Sequence, residues 1–280
     1  MPKRKTLLLW LIALLLTIVL AVYQRLSGPT HPVRRTENIA GVEFSYKFYR
    51  SWNSGQTLPV RIKTNNDMVH ARIYYRRYPP LDNENWSRTA MEKKAGLLTA
   101  SIPGQPPAGK VIYKVEAMAG GKNVWLNSGR AVVARFKGKV PTVLIIVHII
   151  FMFSGLLLAF RTGLEALHRD GHWQKLVAWT LGITFCGGLI LGPLIQKFAF
   201  GALWTGFPLG GDLTDSKTLF AVLVWLAAFF LRHKSKWWPL AATVLMITIY
   251  LIPHSLLGSE LNYRTGKIET ATTSESTRPK

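Results

Sequence analysis

The sequence predicts an α-helical membrane bundle interrupted by an all-β domain, and three observations carry that prediction. Hydrophobic residues make up 49% of the 280 against 18% charged, and they are gathered into blocks. One block opens the chain and the others crowd the half beyond residue 140, each near the ~20 residues that cross a hydrocarbon core. Between them, residues 24–140 hold no long apolar run and alternate apolar with polar residues in short stretches, the period of half-buried strands.

Residues 1–6 form a basic start with Lys3, Arg4 and Lys5, and residues 7–23, LLLWLIALLLTIVLAVY, form the first apolar block. A cleaved signal peptide has a core of roughly 7–15 residues followed by a small-x-small site. This core is longer, and YQRLSGPTH after it offers no such site, so a retained signal-anchor helix is expected. Blocks at about 141–160, 174–196, 216–231 and 237–257 bring the total to about five transmembrane helices, the last four forming a region 141–257 with an outer loop at 197–215. Short loops rich in Lys and Arg stay in the cytoplasm. Lys3–Lys5, Arg161 and Arg169, and Arg232, Lys234 and Lys236 fall on one side under five crossings. That expectation places the chain in a bacterial inner membrane, with its N-terminus cytoplasmic and the β-domain, the 197–215 loop and the C-terminal tail outside.

The β-domain, residues 35–138, reads as strands at LPVRIKT (58–64), HARIYYRRY (70–78), GLLTASI (96–102), KVIYKVEAM (110–118) and RAVVARF (130–136), with Pro, Gly and Asn at the joints. Its rhythm of a YYR strand, a W…M hairpin and YKVEA resembles fibronectin type III and related immunoglobulin-like modules over about 40–138. The resemblance implies an antiparallel sandwich, and no activity with it. Residues 24–140 carry 20 Lys and Arg against 7 Asp and Glu. Two readings of that excess stay open: solubility near a bilayer, or a negatively charged partner, whether anionic lipid headgroups, a phosphate-rich envelope polymer or, least expected, nucleic acid. His70, Asp67, Asp82, Glu84 and Glu92 have no triad or metal-ligand spacing, and Cys186 has no second cysteine to pair with. No catalytic residue is expected.

Residues 200–220, FGALWTGFPLGGDLTDSKTLF, separate two apolar blocks and hold the densest set of unusual residues in the membrane half. Trp204, Phe200 and Phe207 suit an interfacial aromatic belt, the glycines and Pro208 a kinked path, and Asp215 the cap of the helix that follows. His148 and His254, both in or beside apolar sequence, support a different reading, because ionisable residues in membrane segments are often functional. GALWTG…GGDLTD resembles the tryptophan-rich haem-handling proteins of cytochrome c maturation, with Trp204 and Asp212 at matching positions. The resemblance implies haem as cofactor, with His148 and His254 as axial ligands and residues 200–215 as its platform. The chain departs from that family in having one tryptophan here where the family has several. Asp212 and Asp215 are also candidate oxygen ligands for calcium, too few for a closed site. Residues 148–263 further resemble a group of bacterial polytopic membrane proteins with no assigned activity.

Gly188 and Gly192 have the four-residue spacing that lets helices pack closely. The tail, 258–280, has no apolar face and is expected to be disordered. The leading expectation is a non-enzymatic integral membrane protein that presents a basic sandwich to an envelope partner; the competing one is a haem-binding membrane protein.

Overall fold

Alternation of side chains sets the β-domain. In the computed structural model, which describes residues 3–66, 68–168, 171–253 and 258–270, it forms strands β1 (Val33–Ile39), β2 (Val42–Phe48), β3 (Ser51–Asn53), β4 (Leu58–Thr64), β5 (Ala71–Arg77), β6 (Ser87–Ala90), β7 (Glu92–Lys94), β8 (Leu97–Ile102), β9 (Lys110–Ala119), β10 (Lys122–Trp125) and β11 (Val132–Lys137). The strands read from sequence at 58–64, 70–78, 96–102, 110–118 and 130–136 are β4, β5, β8, β9 and β11. Two sheets form, one ordered β1-β2-β4-β8-β7 and one ordered β3-β11-β9-β5-β6 with β10 paired to β9. Every described pairing is antiparallel except β3 with β11. Period two buries Val42, Phe44, Tyr46 and Phe48 of β2 and Leu58, Val60 and Ile62 of β4 against Val111, Tyr113, Val115 and Ala117 of β9, in one core shared by both sheets. The Tyr113 hydroxyl, almost fully buried, donates to the Tyr49 carbonyl at 2.9 Å.

The helical unit is built from α1 (Lys3–Ser27), α2 (Thr142–Leu167), α3 (Trp173–Phe185), α4 (Gly192–Phe200), α5 (Leu213–Leu231) and α6 (Trp237–Leu251). A π-helical turn, Cys186–Leu191, joins α3 to α4. Four stretches, Arg4–Ser27, Thr142–Leu167, Trp173–Phe200 and Leu213–Leu231, are long and apolar enough to cross a membrane, while α6 is shorter. Large apolar side chains point outward, Val143 at 73% and Phe230 at 70% exposure, as lipid contact requires.

Small residues draw the helices together. A Cβ on Gly155 would sit 2.8 Å from Thr184 Oγ1, and one on Gly163 would sit 2.7 Å from Thr243 Cγ2. Gly188 behaves likewise, 2.5 Å from Thr218 Cγ2 of α5. Gly192 does not, since its nearest contact is Gly187 O of its own helix at 3.7 Å.

Two expectations are corrected here. The helix expected to end near residue 160 runs on to Leu167, so Arg161 is a helical residue, 4% exposed, and not part of a cytoplasmic loop. It can stay buried because Glu165, one turn later, holds its guanidinium at 2.5 Å. The tail expected to be disordered forms strands β12 (Ser259–Leu261) and β13 (Ile268–Thr270), an antiparallel hairpin that belongs to the same compact unit as the sandwich. Its anchor is polar: Lys110 Nζ lies 2.7 Å from Glu260 Oε2 with both side chains nearly buried, and Leu261 N donates to Ala108 O at 3.0 Å. Composition alone misses it because the hairpin is held by charge and backbone hydrogen bonds. Residues 271–280 lie outside the described residues.

Candidate functional site

The loop before α5 folds onto the first turn of that helix. Asp212 takes extended backbone angles, φ −57° and ψ 115°, and its carboxylate accepts from Thr214 N at 2.8 Å, so Asp212 is the N-cap. The cap expected at Asp215 is therefore displaced by three residues. Asp215 lies inside the first turn and reaches back into the loop, accepting from Thr205 N at 2.8 Å. The helix starts earlier than the apolar run because Asp212 meets its free N–H groups first.

The Thr205 hydroxyl accepts from Gln196 Nε2 at 2.7 Å and lies 3.3 and 3.2 Å from Asp212 Oδ2 and Asp215 Oδ2. Lys217 Nζ donates at 2.9 Å to the carbonyl of Ile252, the C-cap residue just past α6, where a cation complements the helix C-terminus. Gln196, Thr205, Asp212, Asp215 and Lys217 are each 9% exposed or less. Close approach explains two glycines: a Cβ on Gly210 would lie 2.3 Å from Thr205 O, and one on Gly206 would lie 2.5 Å from Asp215 Cβ. Trp204 Nε1 donates to Phe207 O at 3.1 Å, and the Phe207 ring stacks 6.2 Å from that of Phe220.

Asp212 and Trp204 are thus committed to the fold of their own loop, which does not fit an open platform for a macrocycle. His148 Nδ1 lies 3.0 Å from Gly187 O, the carbonyl that also accepts Gly192 N in the π turn. That bond gives the imidazole a structural partner in the adjoining helix. His254, the second expected ligand, lies outside the described residues. Among the described residues no group of three or more His, Cys, Asp or Glu could hold a metal ion. The loop reads as a buried polar knot that joins the start of α5 to α4 and α6. Asp212→Ala, which strips the cap, is expected to lower stability by about 1 kcal/mol. Melting of the detergent-solubilised chain checks it, and an unshifted midpoint would count against the cap.

Part of the charge excess of the sandwich lies on the outer face of the first sheet. Register brings it there: Arg34 pairs with Lys47, Ser45 with Lys63 and Lys63 with Leu97, so the polar positions of β1, β2 and β4 share one face. They line a cleft of about 550 Å³ with Arg34, Arg35, Lys47, Arg61 and Lys63 and no carboxylate. Arg35 lies 3.6 Å from Glu37; among the described residues Arg34, Lys47, Arg61 and Lys63 have no carboxylate partner. Lys47 Nζ sits 4.7 Å above the Tyr49 ring. Burial, with Glu37 beside it, pushes the Tyr46 phenol well above its ordinary pKa, so it adds no negative charge to the cleft.

Sequence reasoning reached the net charge of the domain and not this cleft. The signal was present in part, since LPVRIKT sets Arg61 and Lys63 opposite Val60 and Ile62. Which strands would lie beside β4 was not readable. Thr205, Gln196 and Lys217 were missed as partners of the two aspartates because only the folded loop brings them together. Neither the family models nor the curated proteins compared with this chain match it.

Proposed function

We propose that this chain is a non-enzymatic recognition protein of the bacterial inner membrane. Its immunoglobulin-like sandwich is held outside the cytoplasm by five membrane helices and docks an acidic envelope partner, a protein surface or a phosphate-rich polymer, on the outer face of its first sheet. The single observation that carries this reading is the cleft whose five cations have no carboxylate among its lining residues. Four of the five, all but Arg35, have no carboxylate partner among the described residues; like charges so held repel one another, and an anionic partner relieves that repulsion. The orientation rests on Arg4 and Lys5 in the first turn of α1 and on Arg232, Lys234 and Lys236 between α5 and α6. The fifth crossing rests on α6 together with the apolar residues that follow it.

The test uses the full chain in zwitterionic nanodiscs on an immobilised polyphosphate column. Wild type is expected to elute at a salt concentration that falls sharply when Arg34, Lys47, Arg61 and Lys63 are each replaced by Glu, because each charged contact releases counterions. Equal retention of the charge-reversed variant would remove the cleft from the proposal.

A further inference from the structure

The second sheet presents a different chemistry on its outer face. Pairing sets Tyr74 between Arg88 and Lys114, and Arg72 beside Glu116, which in turn faces Trp125. Lys114 Nζ stands 4.1 Å from the Trp125 ring centre and 5.2 Å from that of Trp86, and the Arg76 guanidinium stands 4.6 Å from Trp86 on its other approach. Tyr74 packs edge-on to Trp125 at 5.2 Å, and its hydroxyl donates to Glu116 at 2.8 Å. Three aromatic rings are therefore fixed in place by cations and by one another. Trp125 nonetheless remains 36% exposed, with Met118 on the same face at 45%.

We propose that this face binds an acidic oligosaccharide. Aromatic rings carry negative charge on their faces and attract the weakly positive C–H groups of a pyranose laid flat against them. Rings already held by Lys114, Arg76 and Tyr74 lose little freedom when a ligand arrives. Arg72, Arg88 and Lys114 are placed to meet the ligand's carboxylates, and the guanidinium fork of each arginine suits that geometry. Glu116 decides between an acidic sugar and a phosphate chain. A carboxylate in the middle of the face accepts hydrogen bonds from sugar hydroxyls, which a phosphate chain cannot donate. The face is separate from the first-sheet cleft and does not depend on the reading given to that cleft.

The experiment is calorimetric titration of the full chain, in zwitterionic nanodiscs, with a galacturonate hexamer, a neutral maltohexaose, polyphosphate and a single-stranded oligonucleotide. In the first-sheet variant with four glutamates, where the cleft no longer contributes, the galacturonate hexamer is expected to bind more tightly than the other three. Trp125→Ala is expected to weaken it by about tenfold or more, as truncation of a central aromatic anchor does. The first-sheet variant with four glutamates is expected to leave it unchanged. If Trp125→Ala does not fold, Arg88→Glu on the exposed strand β6 replaces it, and several-fold weaker binding is expected there. The proposal is overturned by the absence of hexamer binding, by polyphosphate binding as tight as the hexamer's in the first-sheet variant with four glutamates, by tighter oligonucleotide binding that needs Trp125, or by hexamer binding indifferent to the face variant that folds.

Discussion

Glu165→Ala is expected to destabilise the helical unit by about 3–5 kcal/mol, because it leaves the Arg161 guanidinium buried without its counter-charge. Arg161 is 4% exposed and Glu165 6%, so water cannot replace the lost carboxylate without opening the packing. Glu165 does more than pair: its Oε1 accepts His172 N at 3.0 Å, which fixes the turn between α2 and α3. Arg161 also lies 5.4 Å from the Trp10 ring, tying α1 to the same point. The midpoint of thermal unfolding in detergent should fall by roughly 6 °C or more for a chain of this size. Replacing both partners, Arg161→Met with Glu165→Leu, is expected to recover most of the loss, since an apolar pair of similar volume needs no compensation. A single variant that melts like wild type would mean the pair is solvated after all.

The second large effect belongs to the hairpin. Glu260→Ala is expected to release β12 and β13 from the sandwich, because Lys110 and Glu260 are 12% and 7% exposed at their side chains and hold each other at 2.7 Å. Breaking a buried pair on one side costs on the order of 3–5 kcal/mol. Other contacts of the hairpin include Leu261 N on Ala108 O, the Arg135 guanidinium on Ser259 O, Arg264 with Asp82, the Tyr263 hydroxyl 3.0 Å from Gln105 Oε1 and from Lys110 O, and the Arg77 guanidinium 5.5 Å from the Tyr263 ring. The readout is trypsin cleavage after Arg264 and Lys267 in the hairpin turn. The variant is expected to be cut at least tenfold faster while the sandwich stays intact, since local opening governs cleavage. Cleavage at the wild-type rate would show that the ion pair does not hold the segment.

How much of this was readable in the sequence depends on the kind of contact involved. Val60 and Ile62 announce β4, and Ile73 and Tyr75 announce β5, because burying one face of a strand imposes a period of two. The apolar blocks announce the helices for the same reason, and α1 and α5 run close to the blocks that predicted them. Strand β1, VRRTENI, has no such pattern, since it lies at a sheet edge with most of its side chains exposed. The helix α2 outran its hydropathy because Arg161 and Glu165 cancel each other, and a hydropathy reading counts each as a breaker. Asp212 and Asp215 both suit a helix start, and only the path of the loop through Gly206 and Gly210 decides which one caps. The π turn at Cys186–Leu191 left no pattern in the residues, so the bond between His148 and Gly187 O could not be foreseen. For His148 the missing information was a partner distant in the chain, Gly187.

The ion pair between Lys110 and Glu260 has a topological consequence. Residue 110 precedes α2 and residue 260 follows α6, yet the two side chains touch. For any bilayer that these helices thread, both ends of residues 140–258 must then emerge on one side. The number of passages between them must be even. Were α2, the α3–α4 rod and α5 each to cross, a fourth passage would be required, and α6, 15 residues long, is the helix left to make it. A short helix meets that parity by thinning the membrane around it or by borrowing length from the apolar residues that follow.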